Sequence, residues 1–296
     1  MKINFCGVEL QNPIMTASGT FSASSGKFYD YSKLGAIITK GVSIDPWPGN
    51  PTPRIAETKS GMLNAIGLEN PGVERFIADD LPNLKKTKVI ANVAGRSLDD
   101  YVKAAELLNA ADVDMLELNI SCPNVKEGGI AFGTSPQMAA KITEAVRAVV
   151  TKPLIVKLTP NVTDICEVAR AVEAAGADAV SLINTLTAMR IDVKKRRHIL
   201  ANKIGGLSGP AILPVAIRMV YQVARAVKVP ILGMGGIMTG EDVAEFLMAG
   251  ASAVAIGTAA LVDPQAPLRI LAELEEFMKN YGFANIEEIR SGLNEL

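Results

Sequence analysis

The sequence predicts an α/β protein, a single (β/α)8 TIM barrel with long loops at the C-terminal face of its strands. Eight short apolar runs alternate with amphipathic helical stretches, and runs of this length between helices are typical of buried parallel strands. The runs, in chain order, are IMTA (14–17), AIITK (36–40), VIANV (89–93), DMLELN (114–119), LIVKL (154–158), AVSLI (179–183), PILGM (230–234) and AVAIG (253–257). Successive βα units without a linker favour one closed barrel over residues 1–296, with a doubly wound sheet as the alternative.

A similar short sequence precedes several of the predicted strands. LGAII (34–38), AGADAV (175–180) and AGASAV (249–254) each place a glycine where the preceding helix ends. Glycine reaches the left-handed conformation required there without a side-chain clash. The C-terminal tail is expected to form the last barrel helix and a capping helix.

Three segments exceed the length of ordinary connections: residues 41–87, 119–136 and 184–213. Each follows the C-terminal end of a predicted strand, which is the face on which barrel active sites lie. We therefore expect the functional residues in these segments and at the strand ends.

Composition narrows the function classes. Thirty basic and 31 acidic residues give a formal net charge of −1, so no overall attraction to nucleic acid or an anionic membrane is expected. Cys6, Cys122 and Cys166 lie far apart and predict no metal site. The N-terminus has no signal-peptide core and no apolar run is long enough to span a bilayer, so a cytoplasmic protein without membrane contact is expected.

The last two strands end in small residues, GMGGI (233–237) and AIGTA (255–259). Such residues allow backbone N–H groups to approach a phosphate, so a phosphate site is predicted there. It is not a dinucleotide fingerprint, because Met238 stands where a third glycine is required. The chain is therefore not expected to bind NAD by itself.

Two lysines and a group of asparagines fall at strand ends or on the long loops. Lys40 and Lys157 would be unfavourable to bury without an anion, and an ammonium could stabilise the charge of a reduced flavin. Asparagine offers an uncharged donor and acceptor, which suits a ring bearing amide and carbonyl groups. These asparagines are Asn64, Asn92, Asn119, Asn124 and Asn184.

Cys122 lies in NISCPN, just after the fourth strand and before a glycine-rich stretch. A thiol can act as a base near neutral pH, so Cys122 is the candidate catalytic residue. Buried, inert cysteines are expected at Cys6 and Cys166. His198, the only histidine, ends the run KKRRH and is expected at a solvated loop tip.

Several motifs resemble the dihydroorotate dehydrogenases. They are NPTPR (50–54), GMLNAIGLENPG (61–72), LNISCPN (118–124), GGLSGPA (205–211), GMGG (233–236) and AIGTA. The cysteine resembles that of the class 1 enzymes, and NVKEGGIAFGT (124–134) with INTL (183–186) resembles subclass B. The resemblance implies a homodimer that joins a second subunit, carrying FAD and a [2Fe-2S] cluster, in a heterotetramer that passes electrons to NAD.

The resemblance also implies one FMN and one orotate at the top of the barrel. FMN would be surrounded by Ser18, Gly19, Lys40, Gly41, Asn92, Asn119, Lys157, Ile183, Gly209, Gly235, Gly236, Gly257 and Thr258. Orotate would be held by Lys40, Asn64, Ala65, Ile66, Gly67, Leu68, Asn119, Asn124, Asn184 and Thr185. Gly41 and VSIDPWPG (42–49) depart from the family pattern.

The reaction expected from this resemblance is the oxidation of dihydroorotate to orotate in pyrimidine biosynthesis. Cys122 would remove the proton from C5, hydride would pass from C6 to FMN, and Lys157 would stabilise the resulting charge. The alternatives are a fumarate-using homodimer, an FMN-dependent enzyme acting on a free pyrimidine or on tRNA, and a non-catalytic barrel that senses a phosphorylated ligand. The near-neutral charge disfavours tRNA.

Overall fold

The computed structural model describes residues 1–121 and 130–294. The strands are β1 Ile3–Phe5, β2 Val8–Leu10, β3 Ile14–Thr16, β4 Ala36–Ile38, β5 Ile55–Thr58, β6 Gly61–Asn64, β7 Lys88–Val93, β8 Met115–Asn119, β9 Leu154–Lys157, β10 Ala179–Leu182, β11 Leu186–Met189, β12 Ile191–Asp192, β13 Arg197–His198, β14 Ile204–Ser208, β15 Ile231–Met234 and β16 Ala253–Ile256. The α-helices are α1 Val73–Arg75, α2 Leu98–Ala110, α3 Ile130–Gly133, α4 Pro136–Arg147, α5 Ile165–Ala174, α6 Leu213–Ala224, α7 Gly240–Met248, α8 Thr258–Val262, α9 Ala266–Tyr281 and α10 Ile286–Arg290.

Eight parallel strands close into a barrel in chain order: β3, β4, β7, β8, β9, β10, β15 and β16. The last strand pairs with the first through Val254 and Ile14, so the sheet has no free edge. All eight apolar runs of the sequence form these strands, which confirms the predicted (β/α)8 barrel. The runs are mostly apolar because each strand is covered by helices outside and by side chains inside.

The N-terminal hairpin, β1 and β2, closes the bottom of the barrel. Phe5 and Leu10 are buried there against inward-facing apolar side chains of the barrel strands. The thiol of Cys6 lies 3.5 Å from the carbonyl oxygen of Asp178, just before β10. The barrel interior is therefore filled from below, and a ligand can enter only at the C-terminal ends of the strands.

The three strand-entry glycines have two different roles. Gly176 and Gly250 have φ angles of 97° and 112°, as predicted for helix ends. The prediction is wrong for Gly35, which is not in the left-handed region. A Cβ atom at Gly35 would lie 2.2 Å from the carbonyl oxygen of Asn12, so close backbone packing requires glycine there.

Side-chain caps start the outer helices. Ser97, Ser135, Asp164 and Thr239 each accept a hydrogen bond from a backbone N–H in the first turn of α2, α4, α5 and α7. Helix α9 ends at Gly282 in the left-handed conformation, and α10 follows it. This arrangement agrees with the expected final barrel helix and capping helix.

Two of the three long segments meet in a second sheet. Residues 41–87 supply β5 and β6, and residues 184–213 supply β11 and β14. These strands form an antiparallel sheet in the order β11, β14, β6, β5 at the C-terminal end of the barrel. In the third segment, residues 122–129 lie outside the described residues. No helix in the described ranges has the length and apolar character that crossing a membrane requires.

Candidate active site

A cavity of about 420 Å³ lies between the C-terminal ends of the barrel strands and the antiparallel sheet. Most residues that the sequence nominated line it. They are Ser18, Gly19, Lys40, Gly41, Asn64, Ile66, Gly67, Leu68, Asn119, Lys157, Ile183, Asn184, Thr185, Gly209, Gly235, Gly236, Gly257 and Thr258. Segments distant in the chain thus converge here because all of them follow, or fold back over, the same ends of parallel strands.

Four nominated residues are not part of the described cavity wall. Asn92 is fully buried and lies directly behind Asn119, and Ala65 is also fully buried, in the loop after β6. Cys122 and Asn124 fall outside the described residues. The segment that contains them connects β8 to α3, and Asn119 at the end of β8 is part of the cavity wall.

Lys157 ends β9 and is 4% exposed. Its Nζ donates a hydrogen bond of 2.9 Å to Ser18 Oγ, across the mouth of the barrel. Among the described residues it has no carboxylate partner in an ion pair. A buried ammonium held only by a hydroxyl group is suited to an anionic ligand.

Lys40 follows β4 and is half-buried in the same wall. Burial lowers the pKa of its ammonium group, while the nearby Glu69 carboxylate opposes the shift and the Arg54 guanidinium adds to it. Within the described part of the chain, no side chain forms an ion pair or hydrogen bond with its Nζ. The cavity therefore presents two lysines whose charge is not neutralised by direct contact.

The asparagines at the strand ends belong to a hydrogen-bonded network. Asn119 Nδ2 donates to Asn92 Oδ1 at 3.1 Å, and Asn92 Nδ2 donates to Glu117 Oε2 at 2.5 Å. Ser121 Oγ donates to Asn119 Oδ1 and accepts from Asn184 Nδ2. The sequence analysis missed Glu117, although an acid between two apolar residues of a buried strand was its signal.

The opposite side of the mouth is formed by glycines. Gly235 and Gly236, after β15, have φ angles of 128° and 87°. A Cβ atom at Gly236 would lie 2.8 Å from the backbone of Leu213, so a side chain does not fit. The N–H groups of Gly235, Gly236 and Gly257 have no hydrogen-bond acceptor among the described residues. Donors of this kind are suited to a phosphate group.

An ion pair at the rim was not nominated by the sequence analysis. Arg54 Nη2 binds Glu69 Oε2, and both residues line the cavity beside Lys40. Arg54 ends the NPTPR motif, which was the available signal. The hydroxyl oxygen of Thr185 is buried in the wall without a hydrogen-bond partner among the described residues. Unused donors and acceptors on several sides of the cavity fit a polar ring with a phosphate tail.

The other candidates of the sequence lie elsewhere. Cys6 is on the hairpin at the bottom of the barrel, where burial raises the pKa of its thiol to about 12. Cys166 is in α5, and burial also raises the pKa of its thiol. His198 is exposed in β13, which follows a turn at residues 193–196. Both thiols are only partly buried rather than fully buried as expected, while His198 is exposed as expected.

Sequence comparisons agree with this geometry. The family model described as dihydroorotate dehydrogenase matches residues 1–278. The chain is 58% identical over 297 residues to the dihydroorotate dehydrogenase B (NAD(+)), catalytic subunit, of Alkaliphilus metalliredigens, covering 99% of this chain and 98% of that protein. It is 56% identical to the protein of the same name from Lachnoclostridium phytofermentans, covering 97% of each chain.

A third relative of that name, from Bacillus pumilus, is 54% identical over 97% of this chain and 94% of its own. Each match extends over nearly the whole length of this chain and of the relative, so it includes every strand end that lines the cavity. Together with the barrel and the composition of its mouth, they establish that the chain belongs to the dihydroorotate dehydrogenase family.

Proposed function

We propose that this chain is the catalytic subunit of an NAD-linked dihydroorotate dehydrogenase, which oxidises dihydroorotate to orotate with FMN in pyrimidine biosynthesis. The observation that carries the proposal is the cavity wall itself. It combines Lys40 and Lys157, neither of which forms an ion pair among the described residues, with the amides of Asn64, Asn119 and Asn184. A carboxylated pyrimidine on a flavin offers two anionic groups and several ring carbonyl and N–H groups to such a wall.

The glycine side supports FMN as the flavin. The N–H groups of Gly235, Gly236 and Gly257, which have no acceptor among the described residues, follow two neighbouring strands and would together hold a single phosphate. GMGGI lacks the third glycine of a dinucleotide fingerprint. When bound, FMN would supply the acceptor for the hydride that leaves C6 of dihydroorotate. Lys157 and Ser18 would lie against the ring, and the remaining nominated residues would surround it.

The chain's own residues would divide the remaining work. Lys40 would bind the carboxylate of the substrate as an ammonium donor. Asn64, Asn119 and Asn184, with Asn124, would hold the ring so that both transfers occur from one geometry. Cys122, as thiolate, would remove the proton from C5, and the loop that carries it would exclude water.

The name of the relatives supports a partner subunit for electron transfer to NAD. We propose one FMN-binding domain over residues 1–296, which forms a homodimer and joins two FAD/[2Fe-2S] subunits in a heterotetramer. Exposed apolar side chains on the antiparallel sheet and its hairpin provide a surface for a subunit contact. They are Ile55, Met189, Ile191, Val193 and Ile204.

Lys40 also separates this proposal from its nearest alternative. An enzyme acting on a free pyrimidine has no substrate carboxylate to neutralise, so a half-buried lysine in the wall would be unfavourable. A fumarate-using homodimer shares the same site chemistry. It differs only in the electron acceptor, so the two are distinguished by the reaction of the reduced protein.

The test is an anaerobic titration of the FMN-loaded chain, followed through the visible absorbance of the flavin. We expect dihydroorotate to bleach the flavin band and dihydrouracil to leave it unchanged. An unchanged band with dihydroorotate would overturn the proposal. Reoxidation of the bleached protein by fumarate, or by NAD without another protein, would overturn the proposed partner subunit.

A further inference from the structure

Glu117 is a fully buried carboxylate inside the barrel, two residues before the cavity-lining Asn119. It lies in the middle of β8, whose last residue, Asn119, faces the same way and lines the cavity. Its Oε2 accepts a hydrogen bond of 2.5 Å from Asn92 Nδ2, and its Oε1 accepts one of 2.7 Å from Ser181 Oγ. No lysine, arginine or histidine among the described residues forms an ion pair with it.

A buried carboxylate without a cationic partner is unfavourable if its role is only structural. Burying a carboxylate is far less favourable than burying an amide or an apolar side chain of the same size. Its two hydrogen-bond partners, Asn92 on β7 and Ser181 on β10, are neutral, as is Asn119 two residues further along β8. The presence of the acid therefore needs another explanation.

The explanation lies in the direction of the hydrogen bonds. A carboxylate only accepts, so Asn92 must turn its NH2 group toward Glu117 and its Oδ1 toward Asn119. Asn119 must then use its NH2 group as the donor. Its Oδ1 accepts from the backbone N–H and the hydroxyl of Ser121, at 3.3 and 3.1 Å.

The same order of donors and acceptors continues to Asn184, which follows β10. Because the Ser121 hydroxyl donates to Asn119, its oxygen is left to accept from Asn184 Nδ2, at 2.8 Å. Asn184 Oδ1 in turn accepts from the N–H of Thr185. Glu117 thus fixes the amide of Asn92 and, through it, the acceptor that faces Asn119 Nδ2. The backbone N–H groups of Ser121 and Thr185 hold the Oδ1 atoms of Asn119 and Asn184 in the same orientation.

We propose that Glu117 is a positioning residue that orients Asn92 and thereby holds Asn119 with its NH2 group as the donor. With Glu117 in place, Asn119 Nδ2 keeps one hydrogen for a ligand, since only Asn92 accepts from this group in the described part of the chain. The specificity of the cavity for a ring carbonyl at that point would then depend on a residue that never touches the ring. This inference rests on the proposed function, because orotate serves as the probe.

The experiment compares Glu117→Met and Glu117→Gln in the FMN-loaded chain. Three quantities are measured: the dissociation constant of orotate from the shift of the flavin spectrum, the retention of FMN on gel filtration, and the melting temperature. Glu117→Met removes the acceptor, so orotate binding should weaken about 10-fold or more. Glu117→Gln keeps an acceptor for Asn92 and turns its NH2 group to Ser181, so the constant should stay within about 3-fold of the parent value.

A second variant covers the case in which Glu117→Met does not fold. The triple variant Glu117→Met, Asn92→Leu, Ser181→Ala replaces all three polar side chains, so none of them is left buried without a hydrogen-bond partner. It is therefore expected to recover stability. It still leaves Asn119 without its acceptor, so orotate binding should stay weak. Thr143→Val, which breaks a buried hydrogen bond in α4 far from the cavity, controls for general destabilisation.

The outcomes separate the two proposals. If the parent chain shows no spectral response to orotate or dihydroorotate, the proposed function fails, whatever Glu117 does. If the parent chain responds and Glu117→Met or the triple variant binds orotate as tightly, the positioning role is overturned. It is also overturned if Glu117→Gln weakens binding as much as Glu117→Met, because the charge rather than the acceptor pattern would then be responsible.

Discussion

The two sides of the barrel mouth recognise ligands by different means. On the side of β7 to β10, the polar side, inward-facing side chains are exposed to the cavity or support those that are: Asn119 and Lys157 at the rim, with Asn92, Glu117 and Ser181 below. On the side of β15, β16 and β3, the glycine side, much of the wall is backbone, from Gly235, Gly236, Gly257 and Gly19, with the hydroxyl groups of Ser18 and Thr258 beside it.

The difference follows from what each side has to recognise. Side-chain amides and ammonium groups distinguish carbonyl, N–H and carboxylate groups, but they must be oriented by further hydrogen bonds. Backbone N–H groups bind a phosphate without such support, provided that no Cβ atom intervenes. Selectivity between related pyrimidines therefore belongs to the polar side, while retention of the flavin depends on both.

The largest expected effect concerns Cys122, which follows β8 in the chain. Cys122→Ala should leave FMN bound and slow flavin reduction by dihydroorotate by about 10²- to 10⁴-fold, because the base for C5 is lost. Rapid-mixing absorbance under anaerobic conditions measures the rate. Near-normal reduction would remove Cys122 from this role and leave the polar side without a base.

Lys157→Met is expected to have the next largest effect. Removing the buried ammonium should slow flavin reduction by about 10²- to 10³-fold, because a fixed donor to developing negative charge is lost. The flavin reduction potential, measured by dye equilibration, should become more negative. Lys152→Met is the matched control. Lys152 lies two residues before the start of β9, and its ammonium group donates a hydrogen bond to the carbonyl oxygen of Ala111. Equal effects of the two variants would contradict the special position of Lys157.

Lys40→Met tests the substrate carboxylate. Orotate should bind about 10- to 100-fold more weakly, and uracil, which has no carboxylate, should be unaffected. In the parent chain orotate affinity should be full while Lys40 is an ammonium and fall as pH rises through its pKa, which burial places below 10.5. Spectral titrations at several pH values measure both effects. An equal loss for uracil would assign Lys40 to the flavin rather than to the substrate.

The smallest effect is expected on the glycine side, for Gly236→Ala. Both this variant and Gly282→Ala place a side chain at a positive φ, which destabilises the fold by about 1 kcal/mol, and the close contact with Leu213 adds to this cost at Gly236. At Gly282 the added Cβ meets nothing within 4 Å, whereas at Gly236 it meets Leu213. Only Gly236→Ala should weaken FMN binding, by a fewfold to about 10-fold, as measured by flavin fluorescence. Equal FMN affinity in both variants would mean that the glycine side does not hold the phosphate.

Much of the fold and of the cavity wall followed from local patterns. Mostly apolar runs of four to six residues marked all eight barrel strands because a strand covered on both faces buries most of its side chains. Lys40 and Lys157 were recognised because a lysine at the end of a buried apolar run is unfavourable unless its ammonium group meets an anion. Gly235 and Gly236 after β15 and Gly257 after β16 were recognised because small residues at a strand end let backbone N–H groups approach a phosphate.

Other features required contacts between distant segments. The pairing of β6 with β14 joins residues more than 140 positions apart, and neither strand has a pattern that names its partner. Gly35 resembled a helix end, but a close approach to Asn12 explains it. Arg54 and Glu69 were inconspicuous as surface charges until the fold brought them to the cavity beside Lys40.

The sequence by itself determined the barrel, the end of the barrel that carries the site, and most of the residue types in the wall. These depend on periodicity and on the chemistry of single side chains. Only the tertiary structure decided which amide faces which acceptor. Asn92, Glu117 and Ser181 stand on three strands, and the direction of a hydrogen bond between strands is a property of their packing rather than of any one segment.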